Sequence, residues 1–130
     1  MGKIVIAIVV SGGRFLMVRR KQKEGDLHWQ FPAGGIEKDE SDFEAAKREV
    51  LEETDIICQP SRILGQRTHP NTGREVVYVQ CKYVTGIPTV KDNEEVDHAE
   101  WMSPGEISKV VTSDIFPPVK RLIDEIGDPN

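Results

Sequence analysis

The apolar and polar positions of the chain sort into short strand-like runs around one long helical stripe. Residues 4–10 are an unbroken apolar run rich in Ile and Val, which reads as a buried strand. Gly12-Gly13 is a hairpin signal, and residues 14–19 return as a second strand. Residues 20–26 are charged and loop-like. Residues 28–31 form a short extended piece, ended by Pro32 and by Gly34-Gly35.

The clearest element follows. Ser41 with Glu44 matches a capping box, and neither Gly nor Pro interrupts residues 42–54, so the pattern predicts a three-turn helix there. Phe43, Ala46, Val50 and, less regularly, Leu51 supply its apolar stripe. Strands are predicted over 61–67, over 75–85 with good alternation, and briefly over 99–102. Ser103-Pro104 reads as an N-cap with proline in the first helical position. Pro117-Pro118 precedes a last amphipathic helix carrying Val119, Leu122, Ile123 and Ile126. Strands, helix, strands and helix in that order describe a mixed α/β or α+β fold, and residues 1–130 leave room for a single domain.

Composition narrows the functional classes. The chain is 38% hydrophobic and 30% charged, which excludes a disordered tail or a coiled coil. Its longest apolar run is too short to span a membrane, and its start does not read as a signal peptide. A formal net charge of −5 disfavours a nucleic-acid polymer as partner, whereas a small phosphorylated ligand is admissible if something local cancels the repulsion. Cys58 and Cys81 lack metal-like spacing and read as reduced thiols in a reducing, cytoplasmic compartment.

The predicted middle helix is acidic in a patterned way. Glu49, Glu52 and Glu53 stand at i, i+3 and i+4, which would place three carboxylates on one face. Such neighbours repel by a few tenths of a kcal/mol per pair. A hard divalent cation reverses that sign by taking carboxylate oxygens. The alternative is a solvated acidic face with Lys47 and Arg48 as local partners.

The wider context bears on that choice. From Gly34 the chain carries Glu40, then Arg48-Glu49-Val50, then Glu52-Glu53, and closes on Ile56. This resembles the Nudix hydrolase (MutT-like) signature, Gly-x5-Glu-x7-Arg-Glu-U-x-Glu-Glu-x-Gly-U with U a bulky apolar residue. Every fixed position but one matches. Asp55 stands for the closing Gly, and a helix end there calls for a left-handed conformation that Asp tolerates. Asp39 stands where many relatives have Gly. Residues 29–35, the two N-terminal strands and the region of Trp101 fit the family as well.

The resemblance implies an α/β/α sandwich around a mixed β-sheet, and hydrolysis of a nucleoside diphosphate linked to another group. A nucleoside triphosphate or modified nucleotide is the first substrate class, with ADP-ribose or a nucleotide-sugar as the second. A non-catalytic nucleotide-binding module on the same fold is the competing class. By similarity Glu49 and Glu53 are the main ligands of Mg²⁺, or Mn²⁺ in its place. Glu52 is a third ligand or the general base, and a backbone carbonyl of Gly34 or Gly35 is a further candidate. Of the two, Gly34 is assigned by similarity to the metal and Gly35 to the substrate. Glu40 and Arg48 look structural. Glu95, and after it Glu94, fit a further glutamate that relatives use as metal ligand or base. Family members are often dimers, which leaves a homodimer open.

Weaker candidates lie outside the signature. Arg20, flanked by Arg19 and Lys21, ends the second strand, where it could meet phosphates or belong to an edge-strand charge cluster. Trp29 suits base stacking or packing. Arg74 and His69, in the polar turn of residues 67–74, are candidate substrate contacts.

Overall fold

A computed structural model of the chain describes residues 2–21, 27–70, 72–90, 96–111 and 114–127. Among the described residues seven strands form one sheet: β1 (Ile4–Ser11), β2 (Arg14–Lys21), β3 (Leu27–Gln30), β4 (Ala33–Gly35), β5 (Ile57–Thr68), β6 (Glu75–Thr85) and β7 (Val96–Met102). The main order is β3-β2-β1-β6-β5, with β4 paired to β1 and β7 to β2. Strand β1 runs parallel to β6, while the other pairings are antiparallel, so the sheet is mixed.

Helix α1 (Asp42–Thr54) covers one face, and α2 (Pro104–Val110) with α3 (Pro117–Gly127) covers the other. This explains why β1 is apolar throughout instead of alternating. Val5, Ala7 and Val9 join Ala45, Ala46 and Val50 under α1. Ile8, with Ile4, Ile6 and Val10 packed alongside, joins Ile107, Val119 and Leu122 on the opposite face. The expected sandwich is therefore present.

Local signals translate directly where they are short-range. Gly12 and Gly13 have φ of 54° and 78°, as a two-residue hairpin with both central residues left-handed requires. Ser41 and Glu44 complete their capping box, and α2 opens with a second one formed by Ser103 and Glu106. Asp55 closes α1 with φ 62° and ψ 17°, and its N–H donates to the Leu51 carbonyl.

Four expectations need correction. The stripe of α1 that faces the sheet is Ala45, Ala46, Glu49, Val50, Glu53 and Thr54, while Phe43 and Leu51 stand 37% and 39% exposed. Small alanines let the helix lie close to the sheet, and the closest approach selects that face over the bulkier apolar side chains. Strand β5 begins at Ile57, well before residue 61, because register shifts near Pro60 and Leu64 let the ladder continue past the proline. Strand β7 likewise starts at Val96. Finally, Ala33–Gly35 is a strand and not a loop, pairing with Ile4–Ile6. Among the described residues, no helix is long and apolar enough to cross a membrane.

Candidate functional site

Helix α1 lies against β4 and the end of β2, and there two glutamates point inward. Glu53 is 5% exposed and Glu49 9%. Each meets an arginine. Arg20 Nη2 donates to Glu53 Oε2 at 2.5 Å and to the Ala33 carbonyl at 2.9 Å, while the Ala33 N–H donates to Glu53 Oε1 at 3.3 Å. Glu53, Arg20 and the Ala33 backbone thus close a small ring of contacts. Burial pushes the Glu53 carboxyl up to about 7, although the Arg20 guanidinium opposes the shift. Glu49 is also raised by burial, with Arg48 opposing.

The Glu49 carboxylate rests on the backbone of Gly34, where a Cβ would overlap it. Any side chain at residue 34 would push that carboxylate aside, which is the physical demand behind glycine there.

Arg48 ties the helix to the loop before it. Its Nε and Nη2 grip both oxygens of Glu40 at 2.7 and 2.9 Å, a bidentate arrangement. Nη1 donates to Glu49 at 2.7 Å and to Glu52 at 3.2 Å, and Nη2 also reaches the Gly35 carbonyl at 2.9 Å. Glu40 accepts in addition from the Glu37 N–H at 3.0 Å. The guanidinium holds the Glu40 carboxyl below the usual carboxylate range. Asp39, inside this loop, has φ 66°. Both aspartates that stand in place of a family glycine therefore occupy left-handed backbone.

The structure separates Glu52 from its two neighbours: its side chain is 56% exposed and leans on Arg48. Among the described residues no three His, Cys, Asp or Glu side chains meet as a ready metal cluster. The donors that do converge are the Glu49 and Glu53 carboxylates beside the backbone of Ala33–Gly35. This all-oxygen set fits a hard divalent cation, and burial disfavours the charged form of both carboxylates in spite of their arginines. Glu94 and Glu95 lie outside the described residues.

Arg20 belongs to no edge cluster. Strand β2 is interior to the sheet, with β1 and β3 along one edge and β7 along the other. Arg19 is held by Asp97 through bonds of 2.9 and 3.2 Å. Trp29 packs edge-on against His98, with ring centroids 5.6 Å apart. The Arg74 Nη2 donates to the Gly2 carbonyl at 3.3 Å, and no described contact joins it to the buried glutamates. His69 shapes its turn through its backbone, donating to the Arg74 carbonyl and accepting from the Gly73 N–H. The Ala33 backbone, which serves Glu53 and Arg20 together, carries no side-chain signal that sequence could register.

Comparison with known proteins agrees with this fold. A NUDIX domain model matches residues 2–123. Phosphatase NudJ of Escherichia coli (strain K12) is 33% identical over 108 residues, spanning 79% of this chain and 69% of that protein. A NUDIX hydrolase from Nitrosomonas europaea superposes with a TM-score of 0.77 at 26% identity, covering 95% of this chain and 86% of its own. The MutT protein from Methanosarcina mazei Go1 gives 0.68 at 26% identity, covering 96% and 91%. The family model takes in all the described strands, the signature helix α1 and α2, and the chain belongs to the Nudix hydrolase family.

Proposed function

We propose that this pyrophosphohydrolase uses Mg²⁺, or Mn²⁺ in its place, to cleave a nucleoside diphosphate linked to another group, with a nucleoside triphosphate or modified nucleotide as the first substrate class. The observation that carries the reading is the pair of buried carboxylates, Glu49 and Glu53, set against the Ala33–Gly35 backbone. When bound, the cation supplies positive charge to the phosphate oxygens and makes a water easier to deprotonate.

The chain's own residues divide the remaining work. Glu49 and Glu53 hold the cation with the Gly34 carbonyl nearby, and the bare backbone of Gly35 lets phosphate oxygens come close. Arg48 keeps the Glu49 carboxylate aimed and fixes the loop through Glu40. Glu52, exposed and free to swing from Arg48, takes the proton of the attacking water, with Glu95 or Glu94 as the other candidate bases. Arg20 and Arg74 supply positive charge for the substrate phosphates. The partner is a small nucleotide, not a nucleic-acid polymer or a membrane. Free, buried Cys58 and Cys81 suit a cytoplasmic setting.

A phosphate-release screen with Mg²⁺ tests the proposal across nucleoside triphosphates, ADP-ribose, nucleotide-sugars and dinucleoside polyphosphates. Inorganic pyrophosphatase and alkaline phosphatase serve as parallel coupling enzymes. Turnover detected through pyrophosphatase supports the triphosphate class, and turnover detected only through phosphatase moves the substrate to ADP-ribose or a nucleotide-sugar. Silence across the panel from folded protein would overturn the hydrolase reading in favour of a nucleotide-binding module.

A further inference from the structure

We infer that Arg20 is an exchangeable counter-cation: its guanidinium occupies oxygen donors of the metal site, yields them when the site is loaded, and is thereby released toward the substrate phosphates. This rests on the reading that Glu53 holds the cation.

Arg20 Nη2 points at oxygen donors. Its two described acceptors are a carboxylate oxygen, Glu53 Oε2 at 2.5 Å, and a backbone carbonyl, Ala33 at 2.9 Å. Both are hard oxygen donors of the type a divalent ion takes. A guanidinium nitrogen and a metal ion cannot share them without strong repulsion at such range. The pair is also deeply placed, with side-chain exposures of 15% for Arg20 and 6% for Glu53. Leaving either charge without a partner there would be costly, so the ionised Glu53 carboxylate needs a cation beside it.

Arg48 offers the contrast. Its guanidinium is bound to both oxygens of Glu40, to Glu49, to Glu52 and to the Gly35 carbonyl, and Glu40 takes no part in the buried pair. Losing one of these contacts leaves Arg48 anchored. Arg20 instead sits next to the end of β2, where pairing with β7 shifts register between Arg19 and Arg20. A long side chain there can reorient without disturbing a regular ladder. Once off Glu53, its planar fork matches phosphate oxygens.

The exchange has a signature that a fixed support lacks. A support that merely orients Glu53 would make metal binding weaker when removed, whereas a competitor makes it tighter. Binding of Mn²⁺ to the full chain, followed by electron paramagnetic resonance or calorimetry at pH 8.5 without nucleotide, reads this directly. Arg20→Gln is expected to bind Mn²⁺ about tenfold more tightly than the unaltered protein. In the same variant KM for the nucleotide rises about tenfold or more, since the freed cation is missing. Unchanged or weaker Mn²⁺ binding by Arg20→Gln overturns the exchange.

Should circular dichroism show that Arg20→Gln does not fold, Arg20→Lys replaces it. An ammonium keeps the charge but loses the planar fork, so Mn²⁺ binding about threefold tighter supports the exchange, and equal or weaker binding contradicts it. If the unaltered protein and the variant both fail to bind Mn²⁺ at millimolar concentration, the metal reading of Glu53 falls and the exchange with it. Binding that appears only in the variant supports the exchange.

Discussion

Two arginines grip glutamates on the same helix, yet the two networks are built differently. Arg48 is partly exposed, makes five described hydrogen bonds to Glu40, Glu49, Glu52 and Gly35, and knits the preceding loop to α1. Arg20 is more deeply buried and meets Glu53 from across the sheet, 33 positions away in the chain. In the first network the carboxylate of Glu40 is fully served and held below its usual range. In the second, burial raises the Glu53 carboxyl to about 7 in spite of its partner. Well-satisfied charge builds structure. Charge left short of compensation is where a ligand has something to offer.

The sharpest way to part ligand binding from structure is Gly34→Ala, which disturbs Glu49 and leaves the hold of Arg48 on Glu40 in place. Its Cβ would collide with the movable end of Glu49 and not with backbone, so the fold accommodates it by displacing the carboxylate. Turnover is expected to drop about a hundredfold, as for a misplacement on the order of an ångström. The melting temperature should change little by comparison. Steady-state kinetics beside a thermal melt checks both, and an active Gly34→Ala enzyme would separate Glu49 from the chemistry.

Arg48→Ala attacks the structural anchor itself. It strands Glu40 and Glu49, which are nearly buried, and should cost about 2 kcal/mol of stability in urea unfolding. A loss within a few tenths of a kcal/mol would show that the loop does not depend on this anchor.

The smallest effect is one of pH. Glu40 titrates below its unfolded value because Arg48 and the Glu37 N–H favour its charged form. Its contribution is therefore complete above the unfolded pKa, near 4.5, and is lost as pH falls through the lower folded value. Glu40→Gln should flatten the decline in stability below about pH 4.5. A decline as steep as that of the unaltered protein would mean that other carboxylates carry it.

How much of this was legible in sequence follows from the range of each interaction. The Ser41–Glu44 box, the Gly12-Gly13 turn and the left-handed Asp55 depend on neighbours a few residues apart, and all are readable in a line of text. The early start of β5 was hidden because Pro60 breaks the strand pattern, while the shifts that absorb it depend on β6. The orientation of α1 was obscured for a different reason. Hydropathy sends acids outward and Phe43 and Leu51 inward, whereas packing against β4 turns Glu49 and Glu53 in. The signature spacing marked those two glutamates, but nothing local could show that Glu52 points elsewhere or that Arg20 arrives from another strand.

The proposed role of the buried pair Glu49 and Glu53 is to bind the metal that makes hydrolysis work. Its most direct test is Glu53→Gln, assayed at saturating Mg²⁺ with the best substrate from the screen, beside circular dichroism of the same sample. Turnover about a thousandfold lower or worse, with the fold intact, is the expected result, equivalent to about 4 kcal/mol of lost transition-state stabilisation. A folded Glu53→Gln protein of undiminished activity would contradict the account.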